Sequence, residues 1–243
     1  MVFNRFRFFC MALLLLTASL SAEAYWKTLF AYNNVEQIAM TNDRVFAISD
    51  GALYSVDKLT ERIETYNAGN GLHGSNIVRI YYDKVYDMLL IAYADGKLDV
   101  LHNGTIEYVS GLYTKDMLAT KTINNITVYN GRAYLAMDFG IVTFRLNKRE
   151  LVDTYYIGTD ATEVKVEDIV FQDDSIYAFV GKTMYKAALR DNLPDYRCWQ
   201  TENVGRIARD MQKGVRYTDD SGEIWMTGGA EGIVRVDAIG NRN

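Results

Sequence analysis

The sequence contains few side chains that commonly bind metals or act as nucleophiles. Its two histidines, His73 and His102, lie in polar turn-like segments, and neither has a Cys or a second His at ligand spacing. Of the two cysteines, Cys10 lies in an apolar run near the N-terminus and Cys198 lies beside Trp199 in a strand-like stretch. We therefore predict exposed histidines, a buried structural thiol at Cys198, no metal site and no cofactor.

Two acidic pairs are the other candidates for chemistry. Asp173-Asp174 and Asp219-Asp220 each precede a predicted strand. Paired carboxylates can hydrolyse glycosides when both face one cleft, but adjacent residues before a strand point in different directions, and Asp favours turns. Counting residues does not exclude a Ser-His-Asp triad, but the sequence has neither a Gly-x-Ser-x-Gly elbow nor a phosphate loop. We predict turns at these pairs, no catalytic residues and no enzymatic activity.

Tyrosine is unusually frequent, with 18 residues, and supports two interpretations. The rings could form a surface that stacks on sugars or contacts a partner. They could equally pack between sheets, since aromatic residues fit half-buried pleated surfaces. The tyrosines concerned are Tyr81, Tyr82, Tyr86, Tyr93, Tyr155, Tyr156, Tyr177 and Tyr185.

The N-terminal residues 1–24 have the pattern of a secretory signal. Arg5 and Arg7 precede the apolar run Phe8–Leu20, and a small-x-small pattern ends at Ala24. The run is shorter than the ~20 residues that a membrane-spanning helix needs. We predict cleavage between Ala24 and Tyr25 and an exported mature chain without a membrane span. The net charge of −5 argues against nucleic acid as a partner.

A repeat runs through the rest of the chain. Five short apolar segments recur at intervals of about 40 residues, a period typical of propeller blades. Each segment is followed by an alternating hairpin with a glycine at or near its turn, where a positive φ is needed. The aligned isoleucines are Ile38, Ile80, Ile126, Ile169 and Ile207. The turn glycines are Gly51, Gly96, Gly140, Gly181 and Gly232.

These units predict an all-β fold, a β-propeller over residues 25–243 with about five four-stranded blades. Four short strands in each repeat are the mark of a blade, and the competing interpretation is an irregular β-sandwich. The predicted blades lie near residues 35–66, 76–109, 123–157, 166–200 and 204–237.

The fifth unit lacks a fourth strand, which residues 26–32 could supply. Two alternatives follow from this. The chain is either a closed five-bladed ring or the first part of a larger, incomplete ring.

The segment 67–93 carries a resemblance to known repeats. It reads NAGNGLHGSNIVRIYYDKVYDMLLIAY, which is similar to the Asn-Gly-Leu element of propeller repeats in two-component regulators. VEQIAMTNDRVFAISDGALYSVDK precedes it, and IAYADGKLDVL and FGIVTFRLNKRELVDTYYIG follow in order. Together with Trp26 before it, this succession resembles the N-terminal propeller of PorZ-type proteins, components of the type IX secretion system of Bacteroidetes.

The resemblance implies a function as well as a fold. PorZ-type proteins have two propellers followed by a small C-terminal β-sandwich, so we expect this chain to be the first part of a longer PorZ-like protein. The resemblance implies a non-enzymatic interaction scaffold in the periplasm or at the cell surface of a Gram-negative bacterium. Its implied partners are other secretion-machinery proteins at the outer membrane, and surface glycan or lipopolysaccharide.

Two further expectations depend on this assignment. The alternative function is a periplasmic glycan-sensing propeller fragment of a hybrid two-component regulator; a propeller hydrolase is a third possibility, without a supporting motif. Asp174-Ser175-Ile176 fits the loose O-glycosylation pattern of Bacteroidetes, which makes Ser175 a candidate modification site.

Overall fold

Alternating strands and tight turns build the whole of the described structure. The computed structural model describes residues 34–112, 120–203, 216–218, 224–227 and 233–236, which belong to one unit, Ala31–Asn243. Within these residues, 19 strands form five antiparallel sheets, and the only helices are three short 3₁₀ turns. The predicted all-β class with propeller-like four-stranded blades is confirmed. The predicted signal, its cleavage point and residues 26–32 lie outside the described residues.

Each of the first four sheets is a meander of four strands in chain order. The first sheet contains β1 (Val35–Met40), β2 (Arg44–Ser49), β3 (Ala52–Asp57) and β4 (Ile63–Tyr66). The second contains β5 (Ile77–Asp83), β6 (Met88–Tyr93), β7 (Leu98–His102) and β8 (Thr105–Val109). The third contains β9 (Ile123–Tyr129), β10 (Arg132–Met137), β11 (Gly140–Arg145) and β12 (Glu150–Tyr155). The fourth contains β13 (Asp168–Gln172), β14 (Ser175–Val180), β15 (Thr183–Ala188) and β16 (Gln200–Asn203).

The fifth sheet has three described strands, β17 (Arg216–Thr218), β18 (Ile224–Thr227) and β19 (Ile233–Val236). The predicted first segment of this unit, 204–208, lies outside the described residues, as do Gly232 and the pair Asp219-Asp220.

Two-residue turns with positive φ at both positions close several hairpins. Asp50-Gly51 joins β2 to β3, and Asn130-Gly131 joins β9 to β10. This is the turn that matches the twist of antiparallel strands, and Asn, Asp and Gly tolerate it best. Asp173-Asp174 forms the same turn between β13 and β14, with φ of 49° and 56°. The predicted turn at this acidic pair is therefore present in the structure.

The core consists of apolar layers between successive sheets. One cluster includes Ile48 and Ile91 of the first and second sheets, another includes Leu90 and Leu135 of the second and third, and another joins the third to the fourth. The first strands of the sheets also contact each other in order, β1 with β5, β5 with β9 and β9 with β13. Among the described residues these contacts form an open series and not a closed ring.

Candidate functional site

Polar side chains on the first strands connect neighbouring sheets. Gln37 forms two hydrogen bonds with the main chain of Ile80: its Nε2 donates to the carbonyl at 2.9 Å, and its Oε1 accepts from the amide at 3.1 Å. Between the third and fourth sheets, Asn125 Nδ2 donates to Asp168 Oδ1 at 2.5 Å. Hydrogen-bonded polar groups can be buried at little cost. These side chains on the first strands therefore hold neighbouring sheets together.

A buried carboxylate fastens the loop that joins the first two sheets. Asp99 on β7 is fully buried and accepts hydrogen bonds from the His73 amide at 2.9 Å and the Tyr93 hydroxyl at 2.6 Å. His73 Nδ1 lies 3.0 Å from the other Asp99 oxygen, and its ring stacks on Tyr108. Burial, with the bond to Asp99, raises the pKa of Tyr93. His73 is exposed in its loop, as predicted, and its ring is in addition held by Asp99 and Tyr108.

This cluster resembles one half of a catalytic triad, in which an Asp orients a His. A triad also needs a nucleophile that hydrogen bonds to the imidazole. Among the described residues no Ser, Thr or Cys side chain makes such a bond with His73. Asp99 therefore orients the His73 ring and holds the loop that joins the first two sheets.

Two grooves open where turns of neighbouring sheets meet. The first groove lies between the first and second sheets and has a volume of about 380 Å³; Arg44, Tyr66 and Asp87 are among its lining residues. The second groove lies between the third and fourth sheets and has a volume of about 1000 Å³; Arg132, Tyr134 and Asp174 are among its lining residues. The second groove has the size of a ligand pocket.

The polar groups of the first groove bond to one another. The Arg44 guanidinium forms an ion pair with Glu64 and donates to Ser55 Oγ at 3.1 Å and to the Tyr66 hydroxyl at 3.3 Å. The Ser55 and Tyr66 oxygens are themselves 3.3 Å apart. The hydrogen bond to Glu64 raises the pKa of Arg44. The network therefore connects the polar side chains of Arg44, Ser55, Glu64 and Tyr66 to one another.

The same strand positions line the second groove. In the first sheet Phe46 pairs with Ser55, and in the third Tyr134 pairs with Thr143. Tyr66 pairs with Leu53 as Tyr155 pairs with Ile141. The equivalent sets are therefore Arg44, Phe46, Ser55, Glu64 and Tyr66 in the first sheet, and Arg132, Tyr134, Thr143, Asp153 and Tyr155 in the third.

The second set is connected much less closely. Arg132 Nη1 lies 3.9 Å from Asp153 Oδ2, beyond hydrogen-bond distance. Within the described part of the chain, no residue hydrogen bonds to the Tyr134 hydroxyl, although Tyr134 is only 6% exposed. Burial raises the pKa of Tyr155 to about 12, and Tyr134 and Asp153 add to the rise. The Tyr134 hydroxyl and the Arg132–Asp153 pair therefore have bonding capacity left for a ligand in this groove.

The predicted turn glycines have positive φ wherever the structure describes them. The angles are 73° at Gly51, 84° at Gly96, 145° at Gly140 and 58° at Gly181. A Cβ on Gly140 would lie 2.2 Å from the Tyr155 carbonyl oxygen, so only glycine allows β12 to approach here.

Ser175 is less accessible than its predicted modification assumed, whereas Cys198 is more accessible than the buried thiol that the sequence predicted. Ser175 is 8% exposed, and its hydroxyl donates to the Asp173 carbonyl at 3.4 Å, so a glycosyltransferase would need this hairpin to open. Its modification stays a prediction. Cys198 lies in a 3₁₀ turn, not a strand, and is half-buried with its thiol near the Asp195 carbonyl at 3.1 Å; burial raises its pKa.

Sequence reasoning missed the paired grooves. Their signal is an Arg-x-aromatic triplet that opens the second strand of two sheets, Arg44-Val45-Phe46 and Arg132-Ala133-Tyr134. Asp99 gave no signal of its own, since its partners are 6 and 26 residues away.

Meandering four-stranded sheets joined through their first strands define a β-propeller-type protein. The family model described as "TSS9, PorZ, N-terminal beta-propeller domain" matches residues 45–200, well over half of the sequence. The chain belongs to the family of PorZ N-terminal β-propeller domains. The suspected relationship to PorZ-type proteins is thereby confirmed.

Solved structures share the fold. PorZ of Porphyromonas gingivalis, described as an essential bacterial surface component of the type IX secretion system, superposes with a TM-score of 0.67 at 24% identity, over 88% of this chain and 29% of that one. The extracellular domain assigned to a hybrid two-component system, BT3049 of B. thetaiotaomicron, gives 0.61 at 15% identity, over 87% and 30%. This chain thus spans less than a third of each of these two proteins. No curated protein matches the sequence.

Neither a membrane helix nor a metal cluster occurs in the described residues. None of their helices is long and apolar enough to cross a membrane. No group of three or more His, Cys, Asp or Glu side chains there could hold a metal ion.

Proposed function

We propose that the chain is a non-enzymatic, exported β-propeller that serves as an interaction scaffold in type IX protein secretion and cell-surface attachment. The observation that carries the proposal is the family match over residues 45–200. The likeness to PorZ of Porphyromonas gingivalis supports the same role, because that protein is described as a surface component of the secretion system.

The geometry of the described residues is consistent with a scaffold. The oriented His73–Asp99 pair lacks a nucleophile in the described part, and the polar row on the first strands joins sheets to one another. The two grooves between sheets are the candidate partner surfaces. We propose other secretion-machinery proteins at the outer membrane as partners, with surface glycan or lipopolysaccharide as an additional ligand.

A pull-down with the tagged full chain tests the scaffold function. Periplasmic and surface fractions of the source bacterium should yield components of the secretion machinery, and an unrelated exported propeller carrying the same tag serves as the control. Recovery of no such component, together with normal cargo export in a deletion strain, would contradict the proposal.

The second candidate is a glycan-sensing propeller of a hybrid two-component regulator. Its support is the fold shared with BT3049, at 15% identity, whereas the family match favours the secretion role. The DNA downstream of codon 243 distinguishes the two: more propeller blades and a β-sandwich support secretion, and a membrane span with a kinase supports sensing.

Export itself has a direct test. We propose cleavage between Ala24 and Tyr25, so the protein recovered from the periplasm or surface should begin at Tyr25. N-terminal sequencing that finds the intact first residues would contradict this part of the proposal while leaving the partner proposal to its own test.

A further inference from the structure

We propose that the second groove binds a lysine- or arginine-containing peptide segment of a partner protein. The proposal rests on the scaffold function above and names the chemistry of one partner surface. It depends on three features of the groove: a largely buried tyrosine whose hydroxyl has no described partner, a separated Arg–Asp pair, and an acidic opposite wall.

The Tyr134 hydroxyl is the first feature. The residue is more than nine-tenths buried and packs edge-on against Phe171, with ring centroids 4.8 Å apart. The side chains of Arg132, Tyr129 and Asp153 interact electrostatically with this hydroxyl, and all three line the groove. The ring is buried but the hydroxyl reaches the groove, so it can donate a hydrogen bond to a ligand there or accept one from it.

The separated pair is the second feature. Arg132 Nη1 and Asp153 Oδ2 are 3.9 Å apart, and both side chains are more than a third exposed. The guanidinium needs acceptors and the carboxylate needs donors. A peptide unit carries one of each, with a carbonyl for Arg132 or Tyr134 and an amide for Asp153.

The opposite wall supplies the preference for positive charge. Asp173, Asp174 and Asp191 are exposed there beside a single cation, Arg190. Next to this wall, the Tyr129 ring is held by face-to-face stacking on Phe171, with centroids 4.4 Å apart. Carboxylates attract a Lys or Arg side chain at long range, and an aromatic face adds a cation–π contact.

In the first groove the same framework forms a connected network. There Phe46 takes the place of Tyr134, and Arg44 Nη1 contacts Glu64, Ser55 and Tyr66. It therefore provides matched control positions within the same molecule. Asp87 precedes β6 as Asp174 precedes β14, and both have positive φ.

The test measures binding of three fluorescent Gly/Ser peptides that differ only in a central Lys-Lys, Glu-Glu or Ser-Ser pair. Fluorescence anisotropy with the full chain should show the tightest binding for the Lys-Lys peptide. The affinity should fall about tenfold in the Asp173→Asn/Asp174→Asn variant and several-fold in Tyr134→Phe. Asp87→Asn should leave it unchanged. Hydrogen exchange should show protection at 173–174 and 188–194 when the Lys-Lys peptide is bound.

Three results would overturn the proposal. One is equal binding of all three peptides, and another is an equal loss in Asp87→Asn and in the double variant. The third is binding of a neutral oligosaccharide, maltohexaose, that weakens in Tyr134→Phe while the Lys-Lys peptide does not bind, which would make the groove a sugar site. The Asn variants preserve turn formation, and circular dichroism checks their fold.

Failure here is distinguishable from failure of the scaffold function. If Tyr134→Phe and the double Asn variant still recover secretion components in the pull-down, the scaffold function stands and another surface carries it. If the Lys-Lys peptide binds as expected but no secretion component is recovered, the peptide-binding proposal is supported and the secretion role is contradicted.

Discussion

The first and second grooves are lined from the same four strand positions but differ in how the side chains at those positions are connected. In the first groove an Arg, a Ser, a Glu and a Tyr form one network beside the apolar ring of Phe46. In the second groove the Arg and the acid are 3.9 Å apart, and the aromatic ring carries an unpartnered hydroxyl. Small chemical differences at equivalent positions thus distinguish a structural network from the surface that we propose to bind a partner.

The separation in the second groove has an identifiable cause. Ser55 pairs directly with Glu64 in the first sheet, whereas pairing between β11 and β12 shifts register between Val142 and Phe144. Asp153 lies at this bulge, and it is also one methylene shorter than Glu64. Bulges often re-aim side chains next to functional sites, and here the bulge moves a carboxylate away from its arginine.

The largest expected effect comes from a substitution that disrupts the second groove and not the first. Gly140→Ala places a Cβ 2.2 Å from the Tyr155 carbonyl oxygen at a φ of 145°. We expect the free energy of unfolding in urea to fall by about 3 kcal/mol, because β12 must shift. Tyr155 and Asp153 would move with that strand.

Gly181→Ala is the matched control. Its φ of 58° also favours glycine, but a Cβ there meets nothing within 4 Å. The loss should be only about 1 kcal/mol. Equal losses at the two positions would show that backbone strain, not the close approach of β12, decides the cost at Gly140.

The two arginines should differ in their contribution to stability. Arg44→Ala removes two hydrogen bonds to hydroxyls and an ion pair, and the buried Ser55 loses a partner. We expect a loss of about 1.5 kcal/mol. Arg132→Ala removes an exposed, loosely paired cation and should cost about 0.5 kcal/mol or less. Urea unfolding of both variants measures the difference, and a larger loss for Arg132→Ala would contradict the comparison.

The fold was predictable because its signals are local and repeated. Five aligned isoleucines, glycine turns and alternating runs predicted the all-β propeller-like class, and the sheets show why: each hairpin is closed by residues adjacent in sequence, such as Asp50-Gly51 and Asp173-Asp174. The family resemblance in segment 67–93 followed from the same repeats and was confirmed.

The sites were not predictable in this way because their partners are distant or depend on register. The His73–Asp99 contact spans 26 residues, and Arg44–Tyr66 spans 22. Whether Arg132 lies within hydrogen-bond distance of Asp153 depends on a bulge that the residue types do not predict. The sequence also placed Cys198 in a strand, whereas Asp195 accepts a bond from Arg197 and caps a 3₁₀ turn there.

Removing one tyrosine oxygen in each groove should change stability by different amounts. Tyr66→Phe breaks the contacts with Ser55 and Arg44 and should cost about 1 kcal/mol. Tyr134→Phe removes a hydroxyl that reaches the groove and has no described partner, so the free energy of unfolding should change by less than about 0.5 kcal/mol. Urea unfolding without ligand measures both; a loss for Tyr134→Phe as large as that for Tyr66→Phe would show that the Tyr134 hydroxyl is already bonded in the free protein.

The smallest expected effect is the order in which the two equivalent tyrosines ionise. Burial raises the pKa of both. An arginine and a hydroxyl bond lower each of them, Arg44 and Ser55 at Tyr66, Arg132 and Thr143 at Tyr155, and a nearby acid raises each, Glu64 or Asp153. Tyr134 adds a further rise at Tyr155 alone, whose pKa reaches about 12. Because these folded-state pKa values exceed the ordinary value of about 10, their stabilising contribution is complete below pH 10 and that of Tyr155 is lost as pH rises through about 12. Difference absorbance at 295 nm, comparing Tyr66→Phe and Tyr155→Phe with the parent, should show Tyr66 ionising first, and the reverse order would contradict the comparison.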